Sequence, residues 1–256
     1  MDKSKSYYII GNWKMNPDNR KEALKIFEGI KKSSQRRRSK VVVCPPFVYL
    51  SDISSGRLPK SLSLGAQDCF WKESGSFTGE ISPTQLADLK VEYVIVGHSE
   101  RRAMGEEDEV ISKKINALLS ADLKPIICIG ESRRDKDGEY LQFLESQLSF
   151  AFDEVTPVHL DKVIVAYEPV WAIGKTEEEA ITGHSLHETV ILIKRFLARK
   201  YGKERGFSVP VLYGGSVSPR NAEEILKEGN AEGLLIGRES LDPKSFSEII
   251  DLADSI

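Results

Sequence analysis

Eight short apolar runs, separated by helical patterns, span the 256-residue chain and restrict its fold more than any other feature. The runs fall at residues 7–10, 41–44, 62–67, 93–96, 125–129, 163–167, 209–213 and 234–236. Most are continuously apolar rather than alternating, which is the mark of strands buried on both faces of a parallel sheet. Between them, apolar residues recur at helical spacing. Ala23, Phe27 and Ile30 form one such stripe, Ile111, Ile115 and Leu118 another, and Leu141, Leu144, Leu148 and Phe152 a third. His187, Val190, Ile193 and Leu197 form a fourth. Punctuation agrees with this reading. Asn16-Pro17 reads as an N-cap followed by a first helical proline, Ser82 with Gln85 reads as a capping box, and Ser218-Pro219 opens a helix that Gly229 stops. A last helix spans about 243–253. Strands alternating with helices predict a parallel sheet. The length matches the roughly 250 residues of a closed (β/α)8 barrel, so residues 1–256 read as a single domain. A dinucleotide-binding fold would need GxGxxG after the first strand, and the chain has none there.

Bulk properties exclude several function classes. With 40% hydrophobic and 29% charged residues, the chain has the material for a core and too much of it for disorder. A net charge of −3 offers no global field for nucleic acid or an anionic membrane. No apolar run approaches the roughly 18 residues of a membrane span, and no signal peptide is visible. Cys44, Cys69 and Cys128 are odd in number and lack CxxC spacing, so they read as reduced, mostly buried thiols of a cytoplasmic protein. No His, Cys and carboxylate cluster suggests a metal. The one basic run, Lys31-Lys32 with Arg36-Arg37-Arg38 and Lys40, lies between a helix and a strand and reads as a solvated connection.

In a parallel barrel all strand carboxyl ends share one face, and chemistry occurs there. Reading those ends in order gives Asn12 and Lys14, then Gln67, His98, Glu131, Glu168, Ser216 and Gly237. Glu168 follows a buried strand and precedes Pro169, which restricts the backbone on both sides of the bond. A carboxylate so held suits a general base, which must stay within hydrogen-bond reach of its proton. Gly214-Gly215-Ser216 and Gly237-Arg238 follow the last two strands, where barrels commonly cradle phosphate with backbone N–H groups. Glycine lets the backbone approach such a ligand closely.

GNWKMN, VGHSERR, AYEPVWAIG and YGGSV, each at a strand end and in this order, resemble the triosephosphate isomerase family, with GAQ, FTGE and CIGE in support. The resemblance implies a TIM barrel and the interconversion of dihydroxyacetone phosphate and glyceraldehyde 3-phosphate, without cofactor or metal. It implies that Glu168 is the base and that His98 is the electrophile, an uncharged imidazole at a helix N-terminus, for which this family is the standing example. It assigns Lys14 a fixed positive charge, Asn12 a hydrogen bond to substrate, and Glu100 a role organising that network. Residues 169–179 resemble the family's lid, another standing example, with the Gly174 N–H reaching the phosphate. Residues around Phe77-Thr78-Gly79-Glu80 resemble an arm that docks into a second subunit, which implies a homodimer.

Two departures stand out. The lid's far hinge reads Lys175-Thr176-Glu177-Glu178-Glu179, so its residues receive no assignment. Arg238 stands where the family usually has a second glycine; the expectation is that its backbone N–H is used and its guanidinium points outward. A phosphate-binding aldolase or lyase would want a Schiff-base lysine, for which Lys14 is the one inner candidate. An inactive scaffold would not be expected to retain Asn12, Lys14, His98 and Glu168 together.

Overall fold

The computed structural model describes residues 6–135, 137–172 and 181–256. Each expected apolar run forms a strand: β1 (Tyr8–Asn12), β2 (Lys40–Cys44), β3 (Leu62–Ala66), β4 (Val91–Val96), β5 (Lys124–Ile129), β6 (Ile164–Tyr167), β7 (Val211–Tyr213) and β8 (Gly233–Ile236). Every neighbouring pair is parallel, and β8 closes on β1 with Tyr8 beside Gly233 and Gly11 beside Ile236. The result is the expected closed (β/α)8 barrel.

Side chains of a strand alternate between faces, and here both faces are apolar. Ile10, Val42, Ile95, Ile126, Ile164 and Leu212 fill the inside of the barrel together with Cys44 and Cys128. Their neighbours Ile9, Val41, Val94, Ile127, Val165 and Val211 pack outward under the helices. The three cysteines are free and buried. Burial pushes all three thiols up, and at Cys128 the Glu168 carboxylate adds to the effect. Cys128 is therefore a packing residue, as its apolar run suggests, and not a thiolate nucleophile.

Ten helices cover the barrel among the described residues: α1 (Arg20–Ser33), α2 (Phe47–Ser54), α3 (Pro83–Asp88), α4 (Ser99–Ala103), α5 (Asp108–Ser120), α6 (Glu139–Ala151), α7 (Gly183–Tyr201), α8 (Lys203–Ser208), α9 (Ala222–Lys227) and α10 (Pro243–Ser255). The Ser82–Gln85 capping box at α3 forms as expected. Two helix starts move. Asn19, not Asn16, caps α1, because its Oδ1 takes the Glu22 N–H at 2.9 Å. Helix α9 begins at Ala222, since Asn221 Oδ1 accepts from Ser218 N–H at 2.8 Å and closes residues 218–221 into a turn first. Among the described residues no helix is long and apolar enough to cross a membrane.

Candidate active site

The carboxyl ends of the strands surround a cavity of about 580 Å³. Its lining includes Asn12, Lys14, His98, Glu168, Ser216 and Gly237, which come from the ends of β1, β4, β6, β7 and β8 or the turns after them. Arg238 lines it too, exposed and without an ion-pair partner among the described residues. Glu100 sits just outside and reaches in through Lys14. Gly174 lies outside the described residues.

Lys14 follows β1 with φ 53°, a left-handed conformation that non-glycine residues rarely adopt. Its surroundings hold it there. Its N–H donates to Asn12 Oδ1 at 3.0 Å, and its carbonyl accepts from Gln67 Nε2 at 2.8 Å. The same Gln67 amide also donates to Cys44 O at 2.9 Å, which ties β1, β2 and β3 together at the rim. The Lys14 ammonium meets Glu100 Oε1 at 2.6 Å. Strain of this kind persists where neighbours over-determine it, and it concentrates at functional sites.

His98 is the N-cap of α4. Its Nδ1 accepts the backbone N–H of Glu100 at 3.2 Å. A nitrogen that accepts a hydrogen bond carries no proton, so the N–H of the neutral ring is on Nε2, facing the cavity. Nε2 lies 3.2 Å from Glu168 Oε1.

Glu168 is 1% exposed, yet it lines the cavity. Its backbone N–H binds Ile129 O at 2.8 Å, and its Oε2 accepts from Ser99 N–H, the first residue of α4, at 3.2 Å. Two glycines make room for it. A Cβ at Gly130 would stand 1.7 Å from the Glu168 carbonyl oxygen, and one at Gly214 would stand 2.8 Å from its Cγ. A side chain at Gly130 would collide with backbone, and one at Gly214 would fit only if the Glu168 side chain moved.

Sequence reading gave no role to Glu131 and did not foresee one contact of Ser216. Glu131, 2% exposed at the end of β5, accepts through Oε1 from Tyr167 Oη and from Trp171 Nε1, both at 2.8 Å. It therefore pins the chain just after Glu168. Ser216 Oγ donates to Ala172 O at 3.1 Å, joining the turn after β7 to the same segment. Glu131 stood among the strand-end polar residues, which was its one visible signal. The contact between Ser216 and Ala172 spans 44 residues and has no local signature. Among the described residues no group of three or more His, Cys, Asp or Glu side chains is arranged to hold a metal.

A buried carboxylate, an imidazole N–H, an ammonium and glycine-rich turns thus face one small cavity. That arrangement can take a proton from carbon, stabilise the oxyanion that results and hold an anionic group. A family model described as triosephosphate isomerase matches residues 7–253. Three curated proteins named triosephosphate isomerase illustrate the similarity. The one from Natranaerobius thermophilus is 42% identical over 248 residues, 96% of this chain and 95% of that protein. The one from Thermoanaerobacter sp. is 40% identical, covering 95% and 98%. The one from Aquifex aeolicus is 40% identical, covering 94% and 97%.

Proposed function

The chain belongs to the triosephosphate isomerase family and interconverts dihydroxyacetone phosphate and glyceraldehyde 3-phosphate, and on that premise we propose the roles of its residues. Glu168 is the general base. Its carboxylate removes a proton from the carbon beside the carbonyl, the C–H pair forms the carbon–carbon double bond, and the carbonyl π pair moves to oxygen. His98 Nε2–H donates to that oxygen. The proton then returns from Glu168 to the neighbouring carbon, and His98 redistributes protons between the two oxygens. Lys14 and Asn12 add positive potential and a hydrogen bond, and Glu100 orients Lys14. Preorganised donors of this kind contribute about 10²–10³ in rate apiece.

Ser216 and the backbone at Gly237 and Arg238 hold the phosphate, with the Arg238 guanidinium turned outward. Gly174, matched to the family by sequence, is assigned to the same phosphate. The observation that carries the catalytic assignment is the 3.2 Å approach of Glu168 Oε1 to His98 Nε2 inside a cavity that Lys14 also lines. A coupled assay in both directions tests it. Glu168→Gln is expected to lose about 10²–10⁴ in kcat with the fold intact; a variant that turns over like wild type overturns the assignment. A Schiff-base lyase reading is less favoured, because Lys14 is held by Glu100 at 2.6 Å.

We further infer a homodimer in the cytoplasm, with residues 1–256 as one domain. Apolar side chains left in solvent support the dimer: Met15 is 92% exposed, Val48 77% and Phe77 42%. Phe77 belongs to the arm-like segment and rests on Phe70, with ring centroids 4.6 Å apart. The unpaired, buried thiols support a reducing compartment.

A further inference from the structure

The end of the barrel opposite the active site carries a second cavity of about 630 Å³. It lies between the turn from α1 to β2 and the turn from α2 to β3, both of which precede strands and so sit at their amino ends. Residues 31–40 and 55–61 carry eight cations and no acid, in a chain whose net charge is −3. Sequence alone treats the first of these stretches as a solvated connection. Folding sets the two stretches against each other: a Cβ at Gly56 would stand 3.5 Å from Lys31 Nζ.

Not every cation there is available. Arg37 is spent on structure, since its Nε binds Ser33 O at 2.6 Å and its guanidinium pairs with Asp251 and, at 3.9 Å, with Asp254. Lys31 has a looser contact, 3.6 Å from Glu28. Arg36, Arg57 and Lys60 line the cavity, are exposed and have no ion-pair partner among the described residues. Half-buried Leu58 and Pro59 form an apolar part of the wall. Like charges gathered without counter-ions repel one another, and lysines in the last turn of α1 account only for Lys31 and Lys32.

We propose that this groove is a binding site for a polyphosphate chain, either inorganic or carried by a nucleotide. Guanidinium groups bind phosphate oxygens through two parallel N–H bonds, and lysine adds a point charge. One phosphate meets only part of a set of cations drawn from two walls, whereas a linked chain distributes its charge among them. A cavity of this size lies in the range of small-molecule sites, roughly 300–1,000 Å³.

Isothermal titration with tripolyphosphate, ATP and orthophosphate tests the proposal. Saturating triose phosphate is present throughout, so that the catalytic cavity is filled. Tripolyphosphate is expected to bind at least about tenfold tighter than orthophosphate and to weaken as salt rises. Arg57→Glu with Lys60→Glu is expected to weaken it by at least about tenfold with kcat/KM unchanged. The milder Arg57→Gln should weaken it in the same direction, so a misfolded double variant does not decide the matter. ATP binding as tightly as tripolyphosphate shows recognition of the chain alone, and tighter ATP binding seats the base on Leu58 and Pro59; both support the site. Unchanged affinity in the variants, no binding of tripolyphosphate once triose phosphate is saturating, or retention by anionic lipid vesicles alone overturns it.

Discussion

A methyl group at Gly214 would stand 2.8 Å from Glu168 Cγ and 3.3 Å from its Oε1. Gly214→Ala should therefore displace the Glu168 carboxylate without unfolding the barrel. A displacement near 1 Å can cost about 10²-fold in rate, so kcat should fall by roughly that factor while the circular dichroism stays unchanged. A kcat within a few-fold of wild type would show that the carboxylate has slack. Arg238→Gly probes the opposite case. If phosphate is held there through the backbone, KM should stay within a few-fold, and a large rise in KM would assign the guanidinium itself to the phosphate. At this scale the site was largely legible, because Asn12, Lys14, His98 and Glu168 each stand at or just past a strand end. What the sequence could not reveal were contacts made by closure of the fold, such as Gly130 yielding space to the Glu168 carbonyl, or Gln67 bracing the left-handed Lys14.

Helix starts carry the electrostatics of the site, and they were harder to read. Two asparagines three residues apart precede α1, and only geometry selects Asn19. Helices α2 and α8 escaped notice because they are too short, at 8 and 6 residues, to show a clear period, and neither start has a side-chain cap. Helix α6 has a device of its own. Asp135 accepts three backbone N–H groups, from Asp137, Glu139 and Tyr140, each at 2.9 Å. Desolvation raises its carboxyl, but the hydrogen bonds outweigh this and hold it below its ordinary 3.8. A carboxyl lowered in the folded state stabilises the protein above its unfolded pKa, and that stability is lost as pH falls through the folded value. Asp135→Ala should thus lower the melting temperature at pH 7 and make less difference at pH 3. An equal deficit at both pH values would assign the loss to packing instead. At α3, Ser82→Ala removes one half of the capping box and should cost about 1 kcal/mol in urea unfolding.

For the molecule as a whole, one buried ionic cluster joins the segment after β3 to α4 and α5. Lys114, in α5 and 2% exposed, binds Asp68 at 2.7 and 2.9 Å and also Glu106; Arg101, in α4, adds a contact to Asp68 at 2.8 Å. Lys114→Met would leave two buried carboxylates with only the half-exposed Arg101, which also reaches Glu106 at 3.2 Å, and should cost about 3–5 kcal/mol in denaturant unfolding. A loss under 1 kcal/mol would mean that Arg101 compensates. Assembly is decided at the same scale: sedimentation at micromolar concentration should show a species twice the 28.7 kDa of one chain, and a 28.7 kDa species alone would rule the homodimer out. Because β8 is bonded back to β1, the sheet has no selvedge. Among the described residues no row of spare amides waits for a foreign strand, so two copies meet through helices and loops rather than by extending the sheet. If they meet through the 70–80 segment, the chain's means of recognising its twin is set at the carboxyl end of β3, on the same rim as the proposed active site.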